Sequence, residues 1–447
     1  MVEPQFEPIV AVATAPGMGG VGIVRLSGSG VRDIASRLFT GELHHSQLRY
    51  GRLLGEAGDT LDQGLGVLFE APKSFTGEDV VEFHGHGGPV VLSAIVAACQ
   101  ASGARLARPG EFSERAFLNG KMDLTQAEAI ADLIASNSTL AARGALRSLQ
   151  GAFSKQVDEI AEQVLWLRTY VEATLDFPDE EDVDHMAAAQ ANERLVESLS
   201  CIEQLLQGTA QSVLLTEGVQ VALLGAPNVG KSSLLNRLVQ QERAIVSDIP
   251  GTTRDLLEAD LVLDGLPITL IDTAGLRSSD DPVEREGVRR ALRRAGQVDL
   301  TICVSTPDEA FNDHSVDIQT EAARLDVVNK IDLEPALAPG RVSEPVPLVR
   351  VSATQGQGMD ALVAAIKQAV GFSTDAAPFS ARRRHLESLG AAKSALENAL
   401  AALAANDGGV LLAEELREAH EHLGAIVGRV TPDDLLGEIF GSFCIGK

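Results

Sequence analysis

The sequence predicts a multidomain protein of mixed α+β and α/β class, with an N-terminal α+β domain, a helical bundle and an α/β domain inserted into that bundle. Three observations lead to this prediction. Strand-like and helix-like stretches alternate up to residue 121. Long helical periodicity starts at Leu124 and returns after residue 374. Between the two helical parts, an apolar strand pattern at 219–224 runs into a glycine-rich loop.

The domain boundaries follow from these changes of pattern. We predict an N-terminal domain at 1–121, a first helical part at 122–216, an inserted domain at 217–373 and a second helical part at 374–447. A domain between two helical segments indicates insertion into one bundle, because neither flank then has to form a core alone.

Periodicity predicts the individual elements. In the N-terminal domain, strands are predicted at 9–14, 22–27, 64–69 and 80–83, and helices at 31–38 and 90–101. In the helical parts, apolar residues recur at steps of three and four, which predicts a buried stripe on each side of the inserted domain. The stripes comprise Leu146, Leu149, Phe153, Val157, Ile160, Val164 and Leu167, and then Leu386, Leu389, Leu396, Leu400 and Leu403.

Composition excludes several classes of protein. The 447 residues include 63 acidic and 37 basic side chains, a net charge of −26, so any contact with RNA must use a local basic patch. No apolar run is long enough for a membrane span, and no basic residue precedes Arg25 as a signal peptide would require. The cysteines, Cys99, Cys201, Cys303 and Cys444, are too widely spaced for a CxxC metal site, and we expect a cytoplasmic protein without disulfides.

The inserted domain starts with a phosphate-binding pattern. Residues 225–232 (GAPNVGKS) fit GxxxxGK[ST] and lie between the predicted strand at 219–224 and a predicted helix at 231–238. Such a loop points backbone N–H groups and a helix N-terminus at phosphate oxygens. Lys231 is expected to reach the outer phosphates, and Ser232 is expected to bind magnesium.

Three further motifs, at 251–255 (GTTRD), 272–275 (DTAG) and 329–332 (NKID), follow in the order of a guanine-nucleotide switch. The carboxylate of Asp332 can accept two hydrogen bonds from guanine, whereas adenine offers no such pair of donors. Residues 352–354 (SAT) fit a fifth, weaker base-contacting motif. The inserted domain is therefore predicted to be a Ras-like P-loop G domain that binds and hydrolyses GTP.

The group that positions the attacking water is not evident. Ras-like switches carry a glutamine just after the DxxG motif, and here that position is Leu276. Asn228 could help to seat a monovalent cation beside the phosphates, and Glu284 could be brought near the water by a mobile switch. Judged by residue type alone, Glu284 is more simply explained as a solvated carboxylate in an acidic loop.

Motifs outside the G domain carry a resemblance to one family. They are residues 16–23 (PGMGGVGI), 76–79 (TGED), 85–89 (GHGGP), 108–119 (RPGEFSERAFLN), 176–181 (DFPDEE), 382–386 (RRRHL) and 443–447 (FCIGK). With the nucleotide motifs they span nearly the whole chain, which resembles the MnmE (TrmE) family of tRNA modification GTPases.

The resemblance implies ligands that residue chemistry alone does not. The N-terminal domain would be similar to folate-binding domains and form a homodimer, with 5-formyltetrahydrofolate or a related tetrahydrofolate held by Arg25, Glu82, Lys121 and Lys447. Cys444 would be the family's C-terminal cysteine. By residue type, the four folate positions are otherwise surface charges and Cys444 a spectator thiol.

In the G domain, the resemblance implies potassium ligands at Asn228, Ser247, Ile249 and Thr252 and magnesium ligands at Ser232 and Thr253. The predicted catalytic residues of this domain are Glu284 and Lys231. The GTP-binding residues are then predicted to be Asn228, Val229, Gly230, Lys231, Ser232, Ser233, Ser247, Asp248, Ile249, Pro250, Gly251, Thr252, Thr253, Asp272, Thr273, Ala274, Gly275, Asn329, Lys330, Asp332, Ser352, Ala353 and Thr354.

The implied function is that of a GTP-hydrolysing subunit that adds a carboxymethylaminomethyl or aminomethyl group at C5 of the tRNA wobble uridine. Potassium-dependent pairing of G domains would drive the cycle. The expected partner is the flavoprotein MnmG (GidA), in a heterotetramer to which it brings FAD and NADH. Two alternatives stay open: an RNA-binding regulatory GTPase of ribosome assembly, which would need an appended RNA module, and a folate-binding scaffold with a vestigial G domain.

Overall fold

The protein divides into two compact units, one formed by Met1–Ala131 with Gly424–Lys447 and the other by Asp132–Leu423. The structure is a computed structural model that describes residues 6–176, 186–226, 228–241, 258–272, 298–308, 322–334, 336–342, 348–373, 379–405, 408–429, 433–443 and 445–446. None of the helices in these ranges combines the length and apolar character that crossing a bilayer requires.

The first unit is built on a mixed sheet. Its strands among the described residues are β1 Ile9–Val12, β2 Gly19–Ser27, β3 Arg49–Leu54, β4 Thr60–Phe69, β5 Val80–Gly87 and β6 Arg105–Leu106, in the order β3-β4-β5-β2-β1-β6. Only the β1–β6 pair is parallel in this sheet. The helices Val31–Leu38 and Pro89–Ala101 bury their apolar residues against one face of the sheet, in a core that includes Val24, Leu26 and Phe83.

Several strand bounds differ from the prediction: β1 ends at Val12 rather than at 14, β2 begins at Gly19 rather than at 22, and β4 begins at Thr60 rather than at 64. The strand predicted at 80–83 continues to Gly87, because β5 lies between β2 and β4, where small residues let the backbones approach. A Cβ on Gly87 would lie 2.7 Å from the carbonyl oxygen of Gly19. Strand β3 was not predicted, since its sequence RYGRLL has exposed side chains where a buried strand has apolar ones.

A second core of the first unit joins residues 117–131 to the C-terminal helix. It includes Leu124 of the Leu124–Ala135 helix and the side chains of Phe440 and Phe443, which belong to or follow the Asp433–Gly441 helix. Ring centroids of Phe117, at the end of the Glu111–Leu118 helix, and Phe440 are 6.3 Å apart. The last residues of the chain thus complete a core whose other half comes from residues 117–131.

The second unit combines helices with an α/β sheet. Its helices in the described ranges include Thr139–Leu149, Ala152–Asp176, Met186–Thr216, Arg383–Ala405 and Gly408–Val427. The predicted stripe from Phe153 to Leu167 is buried, whereas Leu146 is 45% exposed. The first of these helices ends before Gly151, whose φ of 84° is left-handed, and the second begins after it. Leu146 therefore belongs to a separate helix with its own buried face.

The sheet of the second unit carries the nucleotide motifs. Its strands are β7 Val219–Leu224, β8 Glu258–Leu263, β9 Leu266–Asp272, β10 Leu300–Ser305, β11 Ala323–Val328, β12 Gly340–Val342 and β13 Leu348–Arg350, in the order β12-β13-β11-β10-β7-β9-β8. The five central strands are parallel and the edge strands β8 and β12 are antiparallel. The helices Lys231–Gln241 and Met359–Ala369 pack on this sheet. Ligands of open α/β sheets bind beyond the carboxyl ends of the strands, which is where the motif loops begin.

Candidate functional site

The glycines of the phosphate loop hold backbone conformations and close contacts that other residues cannot. Gly225 directly follows β7 and has φ 149°, and an added Cβ would lie 2.2 Å from the Val304 carbonyl oxygen. Gly230 has φ 97°, and its Cβ would lie 2.4 Å from Nδ2 of Asn329. A loop of this tightness leaves its inner surface to backbone groups, as a phosphate cradle requires.

Lys231 opens the following helix and is only 7% exposed. Its Nζ donates to the carbonyl oxygens of Gly225 at 2.8 Å and Ala226 at 3.0 Å. The ammonium group is therefore held inside the loop by neutral acceptors, so that a phosphate oxygen could replace them with a charge-assisted hydrogen bond. Ser232 and Ser233, in the first turn of the helix, are exposed.

Two residues of the NKID motif brace the phosphate loop. Asn329 is buried, its Nδ2 donates to the Val229 carbonyl at 2.9 Å, and its Oδ1 accepts from the Ala353 amide at 3.1 Å. Lys330 has φ 61° and donates from Nζ to the Asn228 carbonyl at 2.6 Å. The Asn329 side chain thus connects the phosphate loop, which is 100 positions away in the sequence, to the 352–354 motif.

The carboxylate of Asp332 is held in place by the fifth motif. Ser352, which is fully buried, donates from its hydroxyl to Oδ1 of Asp332 at 2.6 Å. The same hydroxyl oxygen lies 3.1 Å from Oγ1 of Thr354 and accepts from the Gln355 amide at 3.2 Å. This arrangement fixes the direction of the carboxylate that would recognise guanine.

A cleft of about 280 Å³ lies beside these loops. It is lined by Asn228, Val229, Thr306, Pro307, Asp308, Lys330, Leu333 and Glu334. Three of these belong to the predicted GTP-binding set, and Leu333 on its rim is 68% exposed. The cleft offers space for a ligand next to both the phosphate loop and the base motif.

The switch segments lie outside the described residues, and so do several predicted site positions. These are Ser247, Asp248, Ile249, Pro250, Gly251, Thr252, Thr253, Thr273, Ala274, Gly275 and Glu284, together with Cys444 and Lys447 at the end of the chain. Strand β9 ends at Asp272, whose backbone pairs with Leu223 one residue before the end of β7. The DxxG motif therefore starts beside the phosphate loop.

In the first unit, two of the predicted folate residues form an ion pair. Arg25 and Glu82 are cross-strand partners on β2 and β5, with Nε donating to Oε1 at 2.7 Å. The other Glu82 oxygen lies 3.1 Å from Nε2 of His84. The guanidinium of Arg25 lies over the rings of Phe75 and Phe112, at 5.7 and 5.8 Å from their centroids. Aromatic faces and a carboxylate together hold this arginine in one orientation.

The C-terminal tail reaches this ion pair. Nη1 of Arg25 donates to the carbonyl oxygen of Gly446 at 3.5 Å, and Ile445 forms an antiparallel bridge with Pro109. Gly446 has φ 97°, and a Cβ there would lie 2.1 Å from the Val12 carbonyl oxygen. Residues 445 and 446 thus dock on the N-terminal part of their own unit, as expected for a segment too short to fold alone.

Lys121 is bonded to a different part of the unit. Its Nζ donates to the Pro72 carbonyl at 2.9 Å, and its stem lies against Gly77. The structure therefore brings Arg25, Glu82 and the tail together, and it holds Lys121 on the 71–79 loop.

A buried ionic cluster supports the same unit. Arg115 and Glu111 are both 2% exposed, and Nη2 of Arg115 donates to Oε1 of Glu111 at 3.0 Å. Arg105 also donates to Glu111, at 2.7 Å, and Arg115 contacts Glu78. Burial acts to raise the pKa of Glu111, but the hydrogen bonds from Arg105, the Arg108 amide and Arg115 outweigh it and lower that pKa to about 2. We call Arg105, Glu111, Arg115 and Glu78 the ionic cluster.

Sequence reasoning missed several of these side chains. Phe75 and Phe112 flank Arg25, and the ionic cluster orients the helix that carries Phe112. The signal was available, since Phe112 and both members of the central ion pair lie within the stretch 108–119 that carries the family resemblance. Residue type indicated only charge and bulk, and the contacts join residues as far apart in sequence as Arg25 and Phe112.

Comparison with known families and proteins gives matches along the whole chain. A family model described as the MnmE helical domain matches residues 124–444, and one described as the GTP-binding protein TrmE N-terminus matches residues 8–121. The predicted fold class is thereby confirmed, with an N-terminal α+β part, a helical part and a P-loop α/β part.

Full-length relatives share nearly half of the residues. A tRNA modification GTPase MnmE of Pseudomonas paraeruginosa (strain DSM 24068 / PA7) is 48% identical over 451 residues, 99% of either chain. That of Chromohalobacter salexigens is 47% identical, covering 99% of this chain and 98% of the relative. That of Legionella pneumophila (strain Corby) is 46% identical, covering 99% and 100%.

Among solved structures, Aquifex aeolicus Era bound to GDP and aluminium fluoride is 23% identical, with a TM-score of 0.27 over 40% of this chain and 66% of that one. The G domain of Thermotoga maritima FeoB is 24% identical, with a TM-score of 0.26 over 34% and 96%. Both TM-scores are too low to support any conclusion.

Proposed function

The chain belongs to the MnmE family of tRNA modification GTPases, and from that premise we propose that it works at C5 of the tRNA wobble uridine. Its activity is GTP hydrolysis in tRNA modification, with GTP as nucleotide and tRNA as substrate. The proposed product carries a carboxymethylaminomethyl or aminomethyl group. The proposal is supported by the family motifs at both ends of the chain and by the ordered tail.

For hydrolysis, we assign the phosphate-loop residues to binding and charge neutralisation. Lys231 exchanges its two carbonyl acceptors for phosphate oxygens and stabilises the negative charge that develops as the bond to the γ-phosphorus breaks. Asp332, oriented by Ser352, selects guanine. Glu284 orients the water that attacks the γ-phosphorus, which yields GDP and phosphate.

The oxygen-rich motifs also fit the predicted cations. Ser232 and Thr253 are hydroxyl ligands suited to magnesium, and Asn228, Ser247, Ile249 and Thr252 would hold potassium. When bound, these ions supply positive charge next to the phosphates, where the chain has neither a Ras-type glutamine nor an evident arginine finger. Of the proposed potassium ligands, Asn228 is the one in the described ranges. It has a left-handed φ of 68° and lines the cleft.

For the one-carbon chemistry, we propose that the first unit binds a tetrahydrofolate through Arg25, Glu82, Lys121 and Lys447. The observation that carries this proposal is the hydrogen bond between Arg25 and the carbonyl of Gly446, because it brings the residue before Lys447 to the predicted ligand position. The partly exposed ring of Phe75 beside Arg25 suits a ligand with a flat ring. Cys444 lies one residue from Ile445, so its thiol is proposed to act at the same place.

The proposed assembly is a homodimer that joins the flavoprotein MnmG in a heterotetramer, and the partner brings FAD and NADH. G domains of two subunits would pair in the presence of potassium and GTP. The wide cysteine spacing also favours the cytoplasm, where tRNA is available.

The decisive experiment is nucleoside mass spectrometry of tRNA from a bacterial strain that lacks its own family member and expresses this chain. We expect the wobble uridine modification to return. Removal of residues 443–447 should abolish it and weaken 5-formyltetrahydrofolate binding while GTP hydrolysis continues. Full modification by the truncated chain would contradict the tail assignment. If the strain without this chain had normally modified tRNA and a defect in ribosome assembly, the regulatory GTPase would be favoured.

A second experiment tests the G-domain assignments. GTP turnover should be much faster in potassium than in sodium, and Asn228→Ala should remove the difference. Glu284→Ala should lower the turnover rate by roughly 10²- to 10³-fold and leave GTP affinity within a few-fold. Equal rates of the unaltered protein in both salts would contradict the cation site.

A further inference from the structure

One helix of the second unit presents positive charge to solvent, and none of the described carboxylates pairs with it. Thr139–Leu149 contains no acidic residue, and its outward side, with the residue that ends it, forms what we call the arginine face. The arginine face consists of the exposed residues Thr139, Arg143, Leu146, Arg147 and Gln150.

The inner side of this helix is fixed in place. Ala145 is fully buried, and a Cβ on Gly144 would lie 3.0 Å from the carbonyl oxygen of Phe379. The Ser148 hydroxyl donates to the Ser380 carbonyl and accepts from the Ser380 amide, both at 2.9 Å. The direction in which the arginine face points is therefore set by packing and hydrogen bonds on its opposite side.

The charge of this face is opposite in sign to the net charge of the protein. Residues 133–157 include Arg143, Arg147 and Lys155 but no aspartate or glutamate, in a protein of net charge −26. Arg143 and Arg147 are four positions apart on one face, an arrangement that destabilises a helix by a few tenths of a kcal/mol. Within the described residues, neither guanidinium forms an ion pair.

Some other basic residues of this unit are neutralised by carboxylates. Arg417 contacts both Glu414 and Glu421, and Lys393 contacts Glu203 and Glu397. The two arginines of the arginine face, by contrast, have no carboxylate partner among the described residues. A partner of opposite charge would relieve the repulsion between its two arginines.

We propose that the arginine face binds the phosphate backbone of the tRNA substrate. tRNA is the polyanion that the protein's activity brings to it, and a strongly acidic chain can approach RNA only where its own surface is locally positive. Arg143 and Arg147 contact phosphates, and Thr139 and Gln150 add uncharged hydrogen-bond donors at the two ends of the face. The proposal depends on tRNA as substrate but not on the wobble uridine chemistry, the folate site or the flavoprotein partner.

The test compares two double variants that change the net charge equally. Arg143→Gln with Arg147→Gln removes the arginine face, and Lys393→Gln with Arg417→Gln removes two paired basic residues of the same unit. Binding of the full-length proteins to an unmodified tRNA transcript with a wobble uridine is measured by fluorescence anisotropy at several salt concentrations. GTP hydrolysis and thermal unfolding are recorded to establish that each variant is folded.

We expect the arginine-face variant to bind tRNA roughly 10- to 60-fold more weakly at 0.1 M salt, and the slope of log K against log salt to fall by nearly two. The control variant should bind as the unaltered protein does. Equal weakening in both variants would mean bulk charge alone and would overturn the proposal, as would unchanged binding in both. Lost modification with unchanged tRNA affinity would assign the face to a protein partner instead.

Discussion

The phosphate loop and the ionic cluster hold their cationic side chains in opposite ways. Lys231 is buried among neutral acceptors, the carbonyl oxygens of Gly225 and Ala226. Arg115 is equally buried but lies against two carboxylates, Glu111 and Glu78. Lys231 thus donates to carbonyl oxygens of the phosphate loop, whereas Arg115 is paired with carboxylates.

This difference separates a binding element from a structural one. An ammonium group that donates to carbonyl oxygens inside a phosphate loop can exchange them for phosphate oxygens, so its removal should affect binding and turnover. A buried arginine with carboxylate partners offers little to a ligand, and its removal should affect folding. Arg25 is intermediate, because it pairs with Glu82 and also donates to the carbonyl of Gly446.

The largest expected effect is on base selection. Asp332→Asn keeps an oxygen that can accept from Ser352 but places an amide where guanine needs an acceptor. The ratio of GTP to xanthosine triphosphate affinity should change by about 10⁴-fold, as for other sites built on paired hydrogen bonds. Competition binding with the two nucleotides measures this ratio, and an unchanged ratio would remove Asp332 from the base site.

Lys231→Ala comes next and tests the binding side of the comparison. We expect kcat/KM for GTP to fall by about 10³-fold, because a charge-assisted contact to the phosphates is lost in the transition state. Phosphate release is the measurement. Lys367→Ala, which removes a lysine paired with Asp264 in the same unit, is the control and should leave the rate unchanged. A loss below tenfold would show that Lys231 is structural, like Arg115.

Glu111→Gln tests the structural side. The pKa of Glu111 is about 2 when folded against its ordinary 4.5, so its ion pairs stabilise the fold above pH 4.5, and this contribution disappears as the pH falls from 4.5 to 2. The shift corresponds to about 3 kcal/mol at neutral pH. The variant should lose this stability at pH 7 and show a flatter acid limb in unfolding followed by circular dichroism.

The matched control for this variant is Glu114→Gln. Glu114 lies on the same helix as Glu111 and pairs with Arg108, which is largely exposed and precedes the helix. It should unfold nearly as the unaltered protein does. GTP hydrolysis should be retained by both variants. If Glu111→Gln lowered GTP turnover as strongly as stability, the proposed separation between binding and structural cations would be wrong.

The smallest effect is expected at Ser352. Ser352→Ala removes the hydroxyl that orients Asp332 but keeps the carboxylate, at a cost of about 1 kcal/mol for one hydrogen bond. GTP affinity should fall by roughly fivefold with guanine selectivity retained, as isothermal titration calorimetry can determine. A change of base preference would mean that the serine itself reads the base.

The periodicity of apolar residues predicted those strands and helices that bury one apolar face. The strand at 219–224 and the helix at 31–38 are confirmed with the predicted bounds. Strand β5 was predicted four residues too short, because Gly85 and Gly87 indicate a turn unless the neighbouring strands are known. Whether a glycine ends a strand or admits a close neighbour depends on contacts that local sequence does not contain.

For the site, the motifs located the phosphate loop and its partners but not the bonds between them. Asn329 and Val229 are joined by a hydrogen bond across a hundred positions, and Arg25 and Gly446 across 421. The chain order of the motifs predicted that they act together. The geometry depends on tertiary packing, and the roles of Glu284 and Cys444, outside the described residues, stay predictions.

The docking of the tail also bears on how the chain is made. The core of the first unit needs Phe440 and Phe443, so residues 6–131 cannot finish folding until these two phenylalanines have left the ribosome. At about 5–20 residues per second, synthesis of the intervening part takes roughly 15–60 s. Throughout that time Phe117 and Leu124 lack their aromatic partners, and a chain that stops short of residue 440 leaves its first-made unit permanently open to chaperones and proteases.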